Sequence, residues 1–460
     1  MTGGAAAGES PAAETPRRAA SAPKRLMRAA PLISHAPPRM TSRAGLFDVP
    51  ITRLRDILVS LGEPAYRARQ LYRAVLHERA TSVGAISTLS AASRARIDDA
   101  LALRAGRVAK ETRAGDGVVK QLVELTGGGS GRSDAAALGL GAKEAAAPAA
   151  AAAARVVESV RIPEGRRETV CVSSQVGCSL ACAFCHTGTQ AMRGNASASE
   201  IIEQVLLSGA RPTNVVFMGM GEPLLNYRAV LGAIGVLTDA RDGLALPARR
   251  VLVSTAGIAP VIARLATDAP GVRLALSLHA PSDALRTRLI GVNARFPLRD
   301  TLAACAQFVD ASLARLVGGG ATAADDDNDE SGDDDEGGSG AEPRGQRFNG
   351  PRRVRVSFEY VLLSGVNDAR EDAAALAALL SAWHPRARLH AHVNAIPFNA
   401  WPGAPFSAPT AARVAAFVGT LRDAGFAATV RRPRGDDALA ACGQLRASAD
   451  AKRPAVALRA

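Results

Sequence analysis

The sequence predicts an α/β protein: a partial, open parallel β/α barrel of about six units, preceded by a small N-terminal helical domain. Three observations lead there. Apolar runs of strand length alternate with helix-like stretches from about Thr169 onward; polar or glycine-bearing motifs follow most of those runs; and the residues before them repeat at helical spacing instead.

Residues 1–44, the first segment, are rich in Ala, Pro, Ser and Arg and carry seven Lys or Arg against Glu9 and Glu14. They hold no apolar run of signal-peptide type, so they read as an organellar transit peptide or a disordered basic tail. The transit reading places the protein in a mitochondrial matrix or plastid stroma, the tail reading in the cytoplasm. Residues 45–105 read as a helical accessory domain that binds RNA. Ile51, Leu54, Ile57, Leu58 and Leu61 recur at helical spacing until Gly62-Glu63-Pro64 stops them. Leu71, Tyr72, Val75 and Leu76 face inward on a second helix that also carries Arg67, Arg69 and Arg73, and a third spans 91–103. The arginines suit RNA docking or simply a solvated face.

Residues 106–165 read as linking strands, 118–125 paired with 156–162, interrupted by a Gly/Ser-rich and then alanine-rich insertion at 127–154. Lys143, Glu144 and Pro148 break that run, so it is not a membrane span. Residues 166–445 form the barrel, with candidate strands at 169–173, 214–218, 250–254, 273–278, 353–361 and 388–396 and helices at 199–207, 258–266 and 369–382. A second insertion, 317–352, has too few apolar residues to fold, and 446–460 reads as a disordered tail.

A hydrophobic fraction of 47% over 460 residues supports a substantial core and excludes a wholly disordered chain. The net charge of +13 understates the basic character, because 325–336 hold nine of the 43 acidic residues; the other 34 face 56 Lys and Arg, a balance of +22. Such a body suits a polyanion such as RNA, although a generic solubility charge accounts for it too. Six cysteines are few for a secreted disulfide scaffold, and three fall within eight residues, which favours a reducing compartment and a cofactor.

Those three are Cys178, Cys182 and Cys185. A 4Fe-4S cluster takes four thiolates, so three leave one iron open to a substrate. A zinc site with His186 or Cys171 as fourth ligand also accounts for the spacing. Barrel chemistry gathers at the C-terminal ends of strands, and the cysteines follow the first of them. Gly219-Met220-Gly221-Glu222-Pro223 follows the second, Ser254-Thr255-Ala256-Gly257 the third, Ser277-Leu278-His279-Ala280-Pro281 the fourth and Pro397-Phe398-Asn399 the sixth. Glycines let backbone approach a ligand, and Glu222 can accept from an ammonium group. Cys305 lies in an apolar helical stretch and reads as a small buried hydrophobe.

These motifs in this order, with Cys171-Val-Ser-Ser-Gln-Val-Gly-Cys178 and Arg434-Gly-Asp-Asp-Ala-Leu-Ala-Ala-Cys442-Gly-Gln, resemble the radical S-adenosylmethionine (SAM) adenine carbon-2 RNA methyltransferases, the RlmN family. The resemblance runs from about Leu46 to about Leu445, outside the two insertions. It implies methylation of carbon 2 of an adenosine in large-subunit (23S-type) rRNA, with tRNA a further substrate. The sister activity at carbon 8 uses the same cysteine pair, and the motifs do not separate the two on physical grounds. A metal-containing RNA-binding protein without catalysis is the remaining alternative.

The resemblance also implies roles. Cys178, Cys182 and Cys185 hold the 4Fe-4S cluster, and Gly221, Glu222, Ser254, Ser277, Leu278, His279 and Asn399 contact SAM. Of two SAM molecules per turnover, the first methylates Cys442; the second yields a 5′-deoxyadenosyl radical that activates the methyl group for addition to carbon 2. Glu158 accepts the carbon-2 proton, and Cys171 releases the product by attacking the Cys442 sulfur, leaving a disulfide to be reduced. An electron donor of the flavodoxin or ferredoxin kind is implied, with a monomeric enzyme and no membrane. One departure stands out: where the family usually shows Arg-Asn-Leu, this chain has Gly194-Asn195-Ala196 after Arg193.

Overall fold

The computed structural model describes Met1 and residues 43–127, 155–318 and 354–447. Most of the two insertions, nearly all of the N-terminal segment and most of the tail expected at 446–460 therefore lie outside the described residues. The described chain from Arg43 on belongs to one compact unit.

Its centre is a ten-stranded sheet. The strands are β3 (Gly106–Arg113), β4 (Val119–Leu125), β5 (Val156–Glu164), β6 (Arg167–Cys171), β9 (Asn214–Phe217), β10 (Val251–Thr255), β11 (Arg273–Ser277), β12 (Val356–Leu362), β13 (Ala391–Pro397) and β14 (Ala427–Val430). Two short pairs, β1 (Ala44–Gly45) with β2 (Leu101–Ala102) and β7 (Gln175–Val176) with β8 (Gly194–Asn195), complete the set. Neighbours run β14-β13-β12-β11-β10-β9-β6-β5-β4-β3; β3 to β6 pair antiparallel and β6 through β14 parallel. The α/β class and the open parallel barrel are as the sequence predicts.

The parallel run has seven strands rather than about six. β14 is a four-residue edge strand reading Ala-Ala-Thr-Val, too short for its own pattern to stand out, and its pairing with β13 defines it. β3 was not expected either. Its residues are nearly all exposed, so no apolar alternation marks it. The strand expected at 388–396 begins later, because residues Ala387–His390 form one helical turn that leaves Leu389 exposed. The third N-terminal helix likewise stops at Ala100 where β2 begins.

Every residue of β12 is buried, as a parallel strand covered on both faces requires. Polar groups inside it are matched across the sheet: Ser357 Oγ and Asn394 Nδ2 both donate to Glu359 Oε1, at 2.8 and 2.9 Å, and Thr429 Oγ1 donates to Asn394 Oδ1 at 2.8 Å. The helix Ala198–Leu207 starts in a capping box of Ser197 and Glu200 and buries Glu200 and Glu203 against Arg155 and Arg104. Arg155 also donates to Gly127 O at 2.7 Å, closing the base of the first insertion. The N-terminal helices Ile51–Ser60, Arg67–Leu76 and Ala91–Ala100 dock on this body through Phe47 N–H to Ser199 Oγ (2.8 Å), Arg79 to Ala210 O (3.2 Å) and Arg69 to Asp242 (2.7 Å). Among the described residues no helix is long and apolar enough to cross a membrane.

Candidate active site

The loop after β6 carries the three clustered cysteines. Gly177 opens it at φ +77°, with Ala191 O only 2.2 Å from where a Cβ would stand, so no other residue fits there. Backbone bonds Cys185 N–H to Cys182 O (3.1 Å) and Gly188 N–H to Cys185 O (3.0 Å) coil the loop, and Ala183 N–H is held by Leu289 O at 3.0 Å. Cys178, Cys182 and Cys185 are half-buried, and burial raises all three thiols, Cys178 to about 12. Their sulfurs interact electrostatically with one another, and those of Cys178 and Cys182 with Glu222.

His186 does not act as a fourth ligand here. Its ring stacks flat on Trp401, centroids 4.6 Å apart at 5°, while Nδ1 meets Gln444 O at 3.1 Å and Nε2 meets Arg446 at 3.3 Å. Both ring nitrogens are engaged. In this structure His186 therefore serves to hold the C-terminal segment. Three thiols along one loop suit a cluster that keeps one iron open.

The strand ends supply the rest. Gly221 has φ +98°, and a Cβ on it would lie 2.5 Å from Gln175. Glu222 is buried, its Oε1 accepting from Leu224 N–H (3.1 Å) and Oε2 from Ala256 N–H (2.8 Å). Burial pushes its carboxyl up to about 7 against those hydrogen bonds and one with Thr255. Such a carboxylate suits an incoming ammonium group. Ser254 is buried at the end of β10; Ser277 is half-buried and Leu278 fully buried. His279 adopts φ +57°, and its Nδ1 accepts from Val361 N–H at 2.9 Å, which leaves the ring proton on Nε2. Burial, then Arg286, holds its pKa down to about 3, so the ring is neutral. Phe184 packs edge-on against it at 4.7 Å. Asn399 donates to Cys442 O at 3.1 Å while its buried Oδ1 has no partner, an orphaned acceptor of the kind a ligand satisfies.

The C-terminal segment crosses this loop. His186 N–H donates to Gly443 O (2.7 Å), Thr187 Oγ1 to Leu445 O (2.6 Å) and Gln190 Nε2 to Ala447 O (2.5 Å). Cys442 is thereby brought beside Cys185, with which it interacts electrostatically. Arg446 and Ala447, expected in the disordered tail, are part of this arrangement. Cys171, at the end of β6, is buried and pushed up to about 12 by burial, with Cys442 adding and Arg431 opposing. All six cysteines are free, so the Cys171–Cys442 disulfide implied by the resemblance is absent from this state; Cys305 is fully buried as expected.

Glu158 is not an ordinary strand carboxylate. Lys120 Nζ lies 3.2 Å from its Oε1, and Arg446 N–H donates to its Oε2 at 2.7 Å. Burial raises its pKa, opposed by those two partners. Sequence reasoning missed Lys120 and Arg431. Lys120, opposite Val160 on the strand next to that of Glu158, reaches Glu158 only diagonally; Arg431, whose pKa is raised first by Cys442 and then by Glu359 and Cys171, carries no local signal. At the departure from the family pattern, Asn195 Oδ1 accepts from Gln175 Nε2 at 2.8 Å, so the retained residue braces the start of the cluster loop.

Three clustered thiols after the first parallel strand, with a buried carboxylate interacting with two of them and an orphaned amide oxygen on the residue bonded to Cys442, define a radical SAM enzyme, and the model described as the Radical SAM superfamily matches residues 172–331. A dual-specificity RNA methyltransferase RlmN from an Anaeromyxobacter species is 37% identical over 436 residues, covering 92% of this chain and 96% of the relative. One of the same name from Rhodospirillum rubrum is 36% identical over 403 residues, covering 85% and 77%. A radical SAM methyltransferase from Sphaerobacter thermophilus shares the fold with a TM-score of 0.70 at 34% identity, over 88% of this chain and all of that one. The chain belongs to the RlmN family and is a SAM-dependent radical methyltransferase.

Proposed function

We propose that this protein methylates carbon 2 of an adenosine in large-subunit (23S-type) rRNA, and of tRNA, through a methylated Cys442 and a covalent RNA-enzyme intermediate, using two SAM molecules per turnover. The observation that carries the reading is the fastening of the Cys442 segment across the cluster loop, with Arg431 facing both Cys442 and Cys171. A segment that only finished the fold would need no cysteine there.

Cys178, Cys182 and Cys185 would hold the 4Fe-4S cluster; Glu222 would accept from the SAM ammonium, with Gly221, Ser254, Ser277, Leu278, His279 and Asn399 around it. Cluster and SAM together supply one-electron chemistry able to activate a methyl hydrogen. Cys442 carries the methyl group and then the base. Glu158, raised by burial and steadied by Lys120, is suited to accept the carbon-2 proton. Arg431 favours the thiolate of Cys171, which would attack the Cys442 sulfur and break its bond to the methylene carbon; that carbon keeps the electron pair and takes up a proton as the product's methyl group, and an external dithiol would then reduce the disulfide.

RNA would also lie on the accessory domain. A groove of about 920 Å³ where it meets the barrel is lined by Arg67, Arg69, Arg73, His77 and Arg241 and by one carboxylate, Asp242, which pairs with Arg69; the excess of cations suits phosphate. The names of the relatives point to RNA as well. Mass spectrometry of nuclease-digested rRNA after reaction tests the assignment: 2-methyladenosine is expected, and 8-methyladenosine alone would overturn it.

A further inference from the structure

Arg286 lies on the helix Asp283–Leu289, which follows β11, and is completely enclosed at 0% exposure. Its guanidinium donates to four oxygens: Nε to Leu278 O (3.0 Å), Nη1 to Asn293 Oδ1 (2.7 Å), and Nη2 to Ala256 O (2.7 Å) and Ser277 O (2.9 Å). All four are neutral. Asp283 stands one step away, accepting from Asn293 Nδ2 at 2.9 Å. Gly257, at φ +110°, leaves room for the group, since a Cβ there would stand 3.3 Å from Nη2.

The bonded segments belong to the site already described. Ser277 and Leu278 are expected SAM contacts, and Ala256 donates its own N–H to Glu222. At the end of the same helix Leu289 O holds Ala183, between Cys182 and Cys185, and the Cys182 sulfur interacts electrostatically with Arg286. A buried cation surrounded by neutral acceptors is costly unless an anion is nearby. A 4Fe-4S cluster on three thiolates is such an anion, and each added electron makes it more so.

We propose that Arg286 is a positioning residue whose fixed charge offsets the negative charge of the cluster bound at Cys178, Cys182 and Cys185 and so eases its reduction. This rests on the reading that the three cysteines hold that cluster. Removing the charge disfavours the reduced form, so the midpoint potential moves to more negative values.

Redox titration of the anaerobically reconstituted holoenzyme, followed by electron paramagnetic resonance with iron determined alongside, reads this directly. Arg286→Gln should keep about four irons per chain while its reduction equilibrium falls about tenfold, or ~59 mV for one electron. Arg286→Lys, which retains the charge, should stay within about threefold of wild type. An unchanged midpoint in Arg286→Gln, or equal shifts in the Lys and Gln variants, overturns the proposal. If Arg286→Gln does not fold, Cys305→Asp decides. Cys305 interacts electrostatically with Arg286, and a carboxylate there would neutralise the guanidinium with its hydrogen bonds intact. Its midpoint should fall relative to a Cys305→Ser control, and equal midpoints overturn the proposal. Wild-type protein that takes up no iron would instead defeat the cluster reading beneath it.

Discussion

The main-chain N–H of His186 donates to the carbonyl oxygen of Gly443 at 2.7 Å, so the residue after the last clustered cysteine is tied to the residue after Cys442. Two cysteine positions far apart in sequence thus share one short hydrogen bond. His186 strengthens the tie with its ring, which bonds Gln444 O and stacks on Trp401. Replacing His186 with Ala should cost about 1–3 kcal/mol of stability in chemical denaturation. Iron content should stay at wild-type level; loss of metal from this variant would restore the histidine-ligand alternative.

Cys442→Ala should abolish RNA methylation while iron and SAM binding persist. Cys171→Ala should instead leave the RNA attached, seen as a protein-RNA species that survives denaturing electrophoresis. Methylation by the first variant, or no adduct in the second, would sink the division of labour between the two sulfurs.

Glu222 gives SAM binding a pH dependence. Its carboxyl titrates near 7 in the ligand-free protein, so it is neutral below that and charged above. Only the charged form pairs with an ammonium, and SAM affinity should fall as pH drops from about 8 to about 6. Isothermal titration across that range should show the fall in wild type and little of it in Glu222→Gln, which binds about tenfold more weakly at pH 8 and approaches wild type at pH 6.

Gly177→Ala places a methyl group 2.2 Å from the Ala191 carbonyl at φ +77°. The expected cost is about 1–3 kcal/mol, concentrated in the cluster loop. Iron uptake on reconstitution should fall while far-ultraviolet circular dichroism stays native.

The accessory groove makes a salt-dependent prediction. Arg69 and Arg73 line it, Arg73 with its side chain 78% exposed. Changing both to Gln should weaken RNA binding and reduce the slope of log affinity against log salt by about 0.7–0.9 for each phosphate that is no longer neutralised. An unchanged slope would place the RNA elsewhere.

Much of the site was legible because its parts follow strands. The motifs at Gly221, Ser254, Ser277 and Asn399 each end a run whose apolar pattern is plain, so their convergence follows from parallel topology. What stayed hidden depends on partners distant in sequence. Glu158 looks ordinary until Lys120 and the Arg446 N–H are placed against it, and Arg286 reads as one more helix arginine until four oxygens close around it. β3 and β14 escaped notice for a related reason: each lies at a sheet edge, where pairing with one neighbour rather than an internal pattern defines the strand.

The bond from Arg155 to Gly127, reinforced by Leu125 N–H to Arg155 O at 2.8 Å, bears on how this chain tolerates change in length. Both ends of the intervening segment are held by the flanking strands, and joining two such fixed ends by a flexible connection costs only about 0.6 kcal/mol more for each doubling of its length. That junction is therefore a natural port for engineering: the segment should be replaceable by a short turn, or by a reporter domain whose termini lie close together, without shifting the register of β4 against β5.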